Sequence, residues 1–171
     1  MNQYIFLSIV LVLVYLILGT GLHGDDFVVI DSMQGYSLKD FLTKPEGLSI
    51  FFLVGYYLYW WPYSAFGYEY QLAYDLIKIV AHMASIYLVY RFSKDYFSND
   101  RALILAVVFV MYPLHDTTTY WYMTFSYILV PSVCLYAHHL IRKNNLKKGF
   151  LMVALGAFSN YASPAYIFGL T

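Results

Sequence analysis

The chain has 171 residues, of which 61% are hydrophobic and only 12% are charged. Soluble domains carry about a quarter of charged residues, so this composition excludes an ordinary soluble domain. The formal net charge is zero and there is one cysteine, Cys134, which excludes a nucleic-acid partner held by charge, a disulfide framework and a cysteine-built metal site. We therefore expect an all-α, multi-pass integral membrane protein.

The first apolar segment, residues 4–22, is long enough to cross a bilayer, since about 20 apolar residues span its hydrocarbon core. No Lys or Arg precedes the segment and it exceeds the apolar core of a signal peptide, so we predict a retained helix. Residues 23–47 are polar and rich in breakers, and we predict an extramembrane loop there. Within that loop, residues 36–42 are predicted to form a short interfacial helix, with Ser37 as N-cap and Asp40 three residues later.

Residues 48–61 are uncharged, rich in Tyr and Trp and followed by Pro62, which we expect to stop the helix. The segment is short for a span and its aromatic side chains favour the headgroup layer, so we predict an interfacial helix on the membrane surface. The alternative is that it crosses the membrane. A crossing would place the preceding loop on the cytoplasmic side.

The rest of the chain reads as membrane spans joined by short loops, so residues 1–171 are expected to form a single transmembrane domain. Basic residues concentrate in the loops 91–101 and 142–148, which the positive-inside rule assigns to the cytoplasm. The apolar segment before Thr171 has no polar tail, so we expect the N-terminal part of a longer protein. The predicted further spans are residues 69–91, 102–113 with flanks, 120–141 and 149–170.

The adjacent carboxylates of Asp25 and Asp26 are the first candidates for chemistry. One of them could act as a general base on an acceptor hydroxyl, or the two could hold a divalent cation such as Mg²⁺ or Mn²⁺ against a phosphate leaving group. Neighbouring side chains usually diverge, so two distinct roles are expected. The alternative is a solvated acidic segment that helps to set topology.

Asp75, Lys78 and His82 are spaced by three and four residues, which places them on one stripe of the second span. Ionisable groups within a span normally face the bundle interior or a wet cavity and mark a functional path. The alternative is structural: Asp75 and Lys78 neutralise each other, and His82 satisfies a neighbouring helix.

Two other polar clusters lie near span ends. His115 and Asp116, in the turn at residues 113–121, could line a pocket for a phosphate or a sugar, or belong to a tight turn begun by a proline. His138 and His139 are adjacent and should diverge on a helix, which favours contact with lipid headgroups over metal binding.

The order of these motifs resembles the N-terminal half of the GT-C fold glycosyltransferases, particularly the protein O-mannosyltransferase-like branch. In that branch the first outer loop carries an acidic pair, and the second span reads roughly Tyr-His-x-x-Asn-x-x-x-His. Asp75 and Lys78 therefore stand where the branch has His and Asn. The resemblance covers residues 1–141 and consists of one span, Gly24-Asp25-Asp26, an aromatic amphipathic stretch, Tyr74-Asp75-x-x-Lys78-x-x-x-His82, Pro113-Leu114-His115 and Trp121.

The resemblance implies an enzyme of the bacterial plasma membrane or the endoplasmic reticulum. Such an enzyme moves a sugar from a polyprenyl-phosphate donor to a protein or glycan acceptor at the outer or lumenal face. The acidic pair of the family maps to Asp25 and Asp26, with one as catalytic base. The donor site would include His82, His115, Asp116, Asp75 and Lys78.

Two functions of other classes stay open on the residues alone. One is a transporter or lipid flippase with Asp75, Lys78 and His82 along its path. The other is a non-catalytic membrane assembly subunit whose aromatic surface binds lipid or partner helices.

Overall fold

The computed structural model describes residues 10, 21–32, 34–35, 37, 39–40, 53–111, 122 and 126–157. Within these residues the chain forms six helices and no strand, which confirms the all-α class. The helices are α1 (Asp25–Ser32), α2 (Leu53–Phe66), α3 (Gln71–Ser93), α4 (Asn99–Met111), α5 (Ser126–Arg142) and α6 (Leu146–Ala157).

Helix α3 is the centre of the described fold. It packs against α4 and α5, and α5 also packs against α6. Helix α2 contacts both α1 and α3. The apolar core divides into two clusters along α3. One consists of Ile79, Ile86, Val89, Ala106, Val110 and Ile128, and the other of Leu22, Ile30, Tyr74, Ala81 and Tyr122.

Among the described helices, α3 alone has the length and hydropathy to cross a membrane, and half of its apolar window is buried. Its 23 residues make it about 34 Å long, enough for the hydrocarbon core. A single helix of this kind also occurs in the core of soluble proteins, so the number of spans stays a prediction. Helices α4, α5 and α6 overlap the later predicted spans, with 13, 17 and 12 residues in their described parts, and those spans stay predictions.

The first predicted span, residues 4–22, lies outside the described residues except at Val10, which is helical, and at Gly21 and Leu22, which are not. The last predicted span, residues 149–170, is described as far as Ala157.

Helix α2 corrects the prediction that Pro62 ends the aromatic segment, because the helix continues through Pro62 to Phe66. A proline costs one backbone hydrogen bond, and its burial here offsets part of that loss. The hydroxyl of Ser64 donates to the carbonyl of Trp60 at 2.8 Å, one turn earlier in the same helix. The described part of α2 has 14 residues and is about 21 Å long, shorter than the hydrocarbon core.

Helix α1 corrects the prediction of a loop at the acidic pair, because Asp25 and Asp26 form the first turn of a helix. Carboxylates are stabilised at a helix N-terminus by the positive end of the macrodipole. The Asp26 carboxylate also accepts the backbone N–H of His23 at 2.9 Å, as the third helical residue does in a capping box. The sequence has no apolar periodicity there, so this local electrostatic pattern was the available signal.

The predicted capping box at Ser37 is confirmed. The Asp40 carboxylate accepts the backbone N–H of Ser37 at 2.8 Å and its hydroxyl at 2.6 Å, and the Asp40 N–H donates to the Ser37 hydroxyl at 3.3 Å. Both Lys39 and Asp40 are helical. The predicted apolar face of this helix lies outside the described residues.

Candidate functional site

The polar stripe of α3 is buried, as the spacing predicted. Asp75 is 7% exposed, and Lys78 and His82 are completely buried. The Lys78 ammonium lies 2.9 Å from Oδ1 of Asp75, so the two charges form an ion pair one helical turn apart. The structural alternative predicted that Asp75 and Lys78 neutralise each other, and the ion pair confirms that part of it.

The ion pair also holds a segment that lies about fifty residues earlier in the chain. The backbone N–H of Gly21 donates to Oδ2 of Asp75 at 3.1 Å, and Nζ of Lys78 donates to the Gly21 carbonyl at 3.3 Å. The N–H of Leu22 donates to Oε1 of Gln71 at 2.7 Å. Residues on three successive turns of α3 thus satisfy the backbone just before the acidic pair. We call these contacts the Gly21 clamp.

The clamp was missed by reasoning from the sequence. Gln71 lies one turn before Asp75 and extends the polar stripe toward the start of α3, which is the signal that could have included it. Gly21 is an ordinary residue in an apolar run, and its partners are known only from the tertiary structure.

Asp25 and Asp26 point to different environments, as expected for adjacent side chains on a helix. Asp25 is exposed, whereas Asp26 is 2% exposed and caps α1 through the His23 N–H. The negative charge of Asp26 also interacts with the ammonium of Lys78. The accessible carboxylate of the pair therefore belongs to Asp25.

Tyr122, the residue after the predicted turn, packs against the start of α3. Its ring contacts that of Tyr74 edge-on at 5.0 Å, and both side chains are completely buried. The Tyr74 hydroxyl donates to the carbonyl of Gly67 at 2.7 Å. His115 and Asp116 lie outside the described residues. The residue that follows the turn nevertheless shares a core cluster with Leu22, at the same end of α3 as the acidic pair.

Helix α1 is also tied to the turn that precedes α3. The hydroxyl of Tyr68 and the side-chain amide of Gln34 both donate to Asp31, the latter at 2.7 Å. Burial and the bond to Asp31 raise the pKa of Tyr68 to about 12, so this hydroxyl stays a donor at physiological pH. The ring of Tyr68 contacts that of Phe27 at 5.5 Å.

A cation held by Asp25 and Asp26 would have few protein ligands. The described part of the chain contains no group of three or more His, Cys, Asp or Glu side chains placed to share a metal ion. Mg²⁺ is often bound by one or two carboxylates together with substrate phosphates, which is the arrangement that Asp25 could join. The cation stays a prediction.

Comparison of the chain with protein-family models, with curated proteins and with solved structures gives no match. The resemblance to GT-C glycosyltransferases therefore rests on the order of the sequence motifs.

The Gly21 clamp can be tested by a pair of glycine substitutions. Gly21 and Gly24 have nearly equal positive φ angles, +41° and +39°. An added Cβ at Gly21 would contact the side chain of Gln71, with its Cβ at 3.2 Å, whereas at Gly24 it would meet no atom of the described residues within 4 Å. We expect Gly24→Ala to lower the free energy of unfolding by about 1–2 kcal/mol through backbone strain alone. Gly21→Ala should cost a further 1–3 kcal/mol, roughly the cost of overpacking.

The measurement is thermal unfolding of the two purified variants in the same detergent. Gly24→Ala serves as the control for φ. Equal losses in the two variants would show that the clamp contributes nothing beyond backbone conformation.

Proposed function

We propose that this chain belongs to a membrane-embedded glycosyltransferase. It would take a sugar from a polyprenyl-phosphate donor and transfer it to a protein or glycan acceptor at the outer or lumenal face. The observation that carries the proposal is the position of Asp25: an accessible carboxylate four residues after the Gly21 clamp, at the end of α3 where Tyr122 packs.

The inverted polarity of α3 supports the placement in a membrane. Its buried face carries Asp75, Lys78 and His82, while its opposite face exposes apolar side chains. A soluble protein normally buries the apolar stripe of a helix and exposes the polar one. Lipid reverses this preference, since ionisable groups inside a span face the bundle interior. Apolar side chains at least 50% exposed on α3, α4 and α6 are Leu72, Leu76, Val80, Ile104, Val108, Phe150, Leu151 and Leu155.

The proposed chemistry assigns different roles to the two adjacent carboxylates. Asp25 takes the proton of the acceptor hydroxyl while the acceptor oxygen bonds to the anomeric carbon of the sugar. The bond from that carbon to the phosphate oxygen breaks, and polyprenyl phosphate leaves. Asp26 caps the start of α1, and its negative charge interacts with the ammonium of Lys78. His115 and Asp116 remain proposed donor-binding residues from the motif order.

A transporter is the second candidate, and the burial of Lys78 and His82 within one half of α3 favours it. In a transporter these side chains would change partners during transport and no covalent product would form. In the transferase the ion pair is a fixed support for the segment before Asp25. Analysis of the labelled products from a sugar-donor assay separates the two functions.

The transferase geometry requires the two ends of α3 to face opposite sides of the membrane. Lys39 and Lys147 are both exposed lysines, one after α1 and one at the start of α6. In a chain with Cys134 replaced by Ser, we expect Lys39→Cys to react with an impermeant maleimide only from the outer side. Lys147→Cys should react only after the cytoplasmic side is opened.

Each cysteine variant is the control for the other, because both replace an exposed lysine. Labelling of both from the cytoplasmic side would contradict the proposed topology, and would mean that the aromatic segment crosses the membrane.

A further inference from the structure

A cavity of about 510 Å³ lies at the end of α3 opposite to Asp25. Between Asp75 and Arg91 the helix rises by about 24 Å, so the cavity and the Gly21 clamp are far apart. The volume falls in the range of small-molecule sites, about 300–1,000 Å³. The side chains that line the cavity come from the end of α3, the following turn, the end of α5 and the turn before α6: Arg91, Lys94, Asp95, His139, Leu140, Lys143 and Asn145.

The lining has an excess of positive charge. Asp95 is its single carboxylate and is already engaged: Nδ1 of His139 lies 2.5 Å from one oxygen, and Nζ of Lys143 lies 3.2 Å from the other. Arg91 and Lys94 contact tyrosine rings instead, at 6.0 and 5.5 Å from the ring centroids. Among the described residues, neither of these two cations forms an ion pair with a carboxylate.

The bonds around Asp95 keep its charge in place. Burial raises the pKa of this carboxyl, but the bonds from His139 and Lys143 outweigh it, and the pKa lies below the ordinary value of 3.8. Asp95 is therefore an ionised anchor that orients His139 and Lys143 at the cavity. The lining thus has three positive charges, on Arg91, Lys94 and Lys143, and one negative charge, on Asp95, which is a net excess of two positive charges.

The surroundings of the cavity are apolar and aromatic. Tyr96 and Phe97 directly follow Asp95 and are about half exposed, as is Leu146 next to Asn145. Exposed aromatic side chains beside basic ones are typical of the membrane interface, where rings lie at the level of the headgroups. A soluble phosphate compound would need only the cations, whereas a lipid would also contact these apolar side chains.

We propose that this cavity binds the phosphate of an anionic lipid headgroup in the leaflet at the basic end of the bundle. This inference rests on the membrane placement in the proposed function and adds a site that the sugar transfer does not use. Arg91 and Lys94 would contact the phosphate, and Tyr96, Phe97 and Leu146 would lie along the start of the acyl chains. Each lysine or arginine near a membrane surface contributes about 1 kcal/mol to the binding of anionic lipid. Two such residues therefore raise the affinity for anionic lipid roughly 30-fold.

The test uses the full chain purified in a neutral detergent, with acyl-labelled phosphatidylglycerol as the anionic probe and phosphatidylcholine with the same label as the zwitterionic one. We expect the wild-type chain to bind phosphatidylglycerol at least about tenfold more tightly. Arg91→Gln with Lys94→Gln should abolish this preference, and Arg91→Lys with Lys94→Arg should retain it. The matched control is Lys147→Gln with Lys148→Gln, which removes two exposed charges that do not line the cavity.

Equal affinity for the two lipids, or an equal loss in the control variant, would overturn the site. Displacement of the lipid by an equal concentration of glycerol 3-phosphate would assign the cavity to a soluble phosphate compound and overturn the lipid assignment. Sugar transfer that persists without a lipid preference would remove this inference alone. A lipid preference without any sugar transfer would remove the proposed function alone.

Discussion

Asp25→Asn should lower sugar transfer by about a hundredfold or more, since a positioned general base contributes 10²–10⁴ in rate. The substitution keeps the shape of the side chain and removes its ability to accept a proton. Because Asp25 is exposed, its replacement should leave membrane insertion unchanged and lower the free energy of unfolding by no more than about 1 kcal/mol, through the lost charge at the start of α1. The measurement is transfer of radiolabel from undecaprenyl-phosphate-mannose or undecaprenyl-phosphate-glucose to the acceptor fraction of membranes that contain the full chain.

Asp100→Asn is the matched control, because Asp100 is also an exposed carboxylate in the first turn of a helix. It lies in α4, away from the proposed site, and its loss should leave transfer unchanged. Asp26→Asn should act differently from Asp25→Asn. It weakens a buried cap and should lower stability by about 1 kcal/mol along with transfer. Unchanged transfer in Asp25→Asn alone would rule out the proposed chemistry, whatever the result for Asp26→Asn.

Breaking the buried ion pair should have the largest effect on stability. Lys78→Met leaves the Asp75 carboxylate buried without its ammonium partner, and loss of one partner in such a pair costs about 3–5 kcal/mol. Asp75→Leu should cost a similar amount because it leaves Lys78 buried. The double variant removes both charges but also the partners of the Gly21 N–H and carbonyl, so it should recover only part of the loss. The four proteins of the cycle are the wild type, the two single variants and the double variant. Each is heated in detergent, and its unfolding is measured as the fraction that stays monodisperse.

Lys147→Met is the control for loss of a lysine, since that side chain is exposed and should leave the unfolding temperature unchanged. A Lys78→Met chain as stable as the wild type would contradict the structural role of the pair. The double variant also separates the functions. If the double variant is stable and still transfers sugar, the ion pair only supports the fold. If it is stable but inactive, the ion pair belongs to the donor-binding site.

The features predicted from sequence are those set by contacts within a few residues. The span predicted at 69–91 is helix Gln71–Ser93, and the spacing of Asp75, Lys78 and His82 placed all three on its buried face. The capping box of Ser37 and Asp40 was also recognised, because its partners are three residues apart. Helix α1 was missed, since eight residues without apolar periodicity resemble a polar loop.

Contacts between distant residues were beyond prediction from one sequence. The Gly21 clamp joins residues about fifty positions apart, and the bond between Asp95 and His139 spans 44 positions. Nothing in the local pattern of either partner specifies the other. Helix α2 likewise continues through Pro62, whose ring is buried. The general tendency of proline to end a helix takes no account of such burial.

The amino-acid sequence by itself determined the helical class, the apolar outer surface and the polar stripe of α3, because helical periodicity and side-chain polarity are local properties. The tertiary structure alone decided which carboxylate of the adjacent pair is accessible. Asp25 and Asp26 are chemically identical in the sequence, and they differ because Asp26 is buried and accepts the His23 N–H, whereas Asp25 is exposed. Burial and long-range partners belong to the packed chain, and they give Asp25 and Asp26 different surroundings.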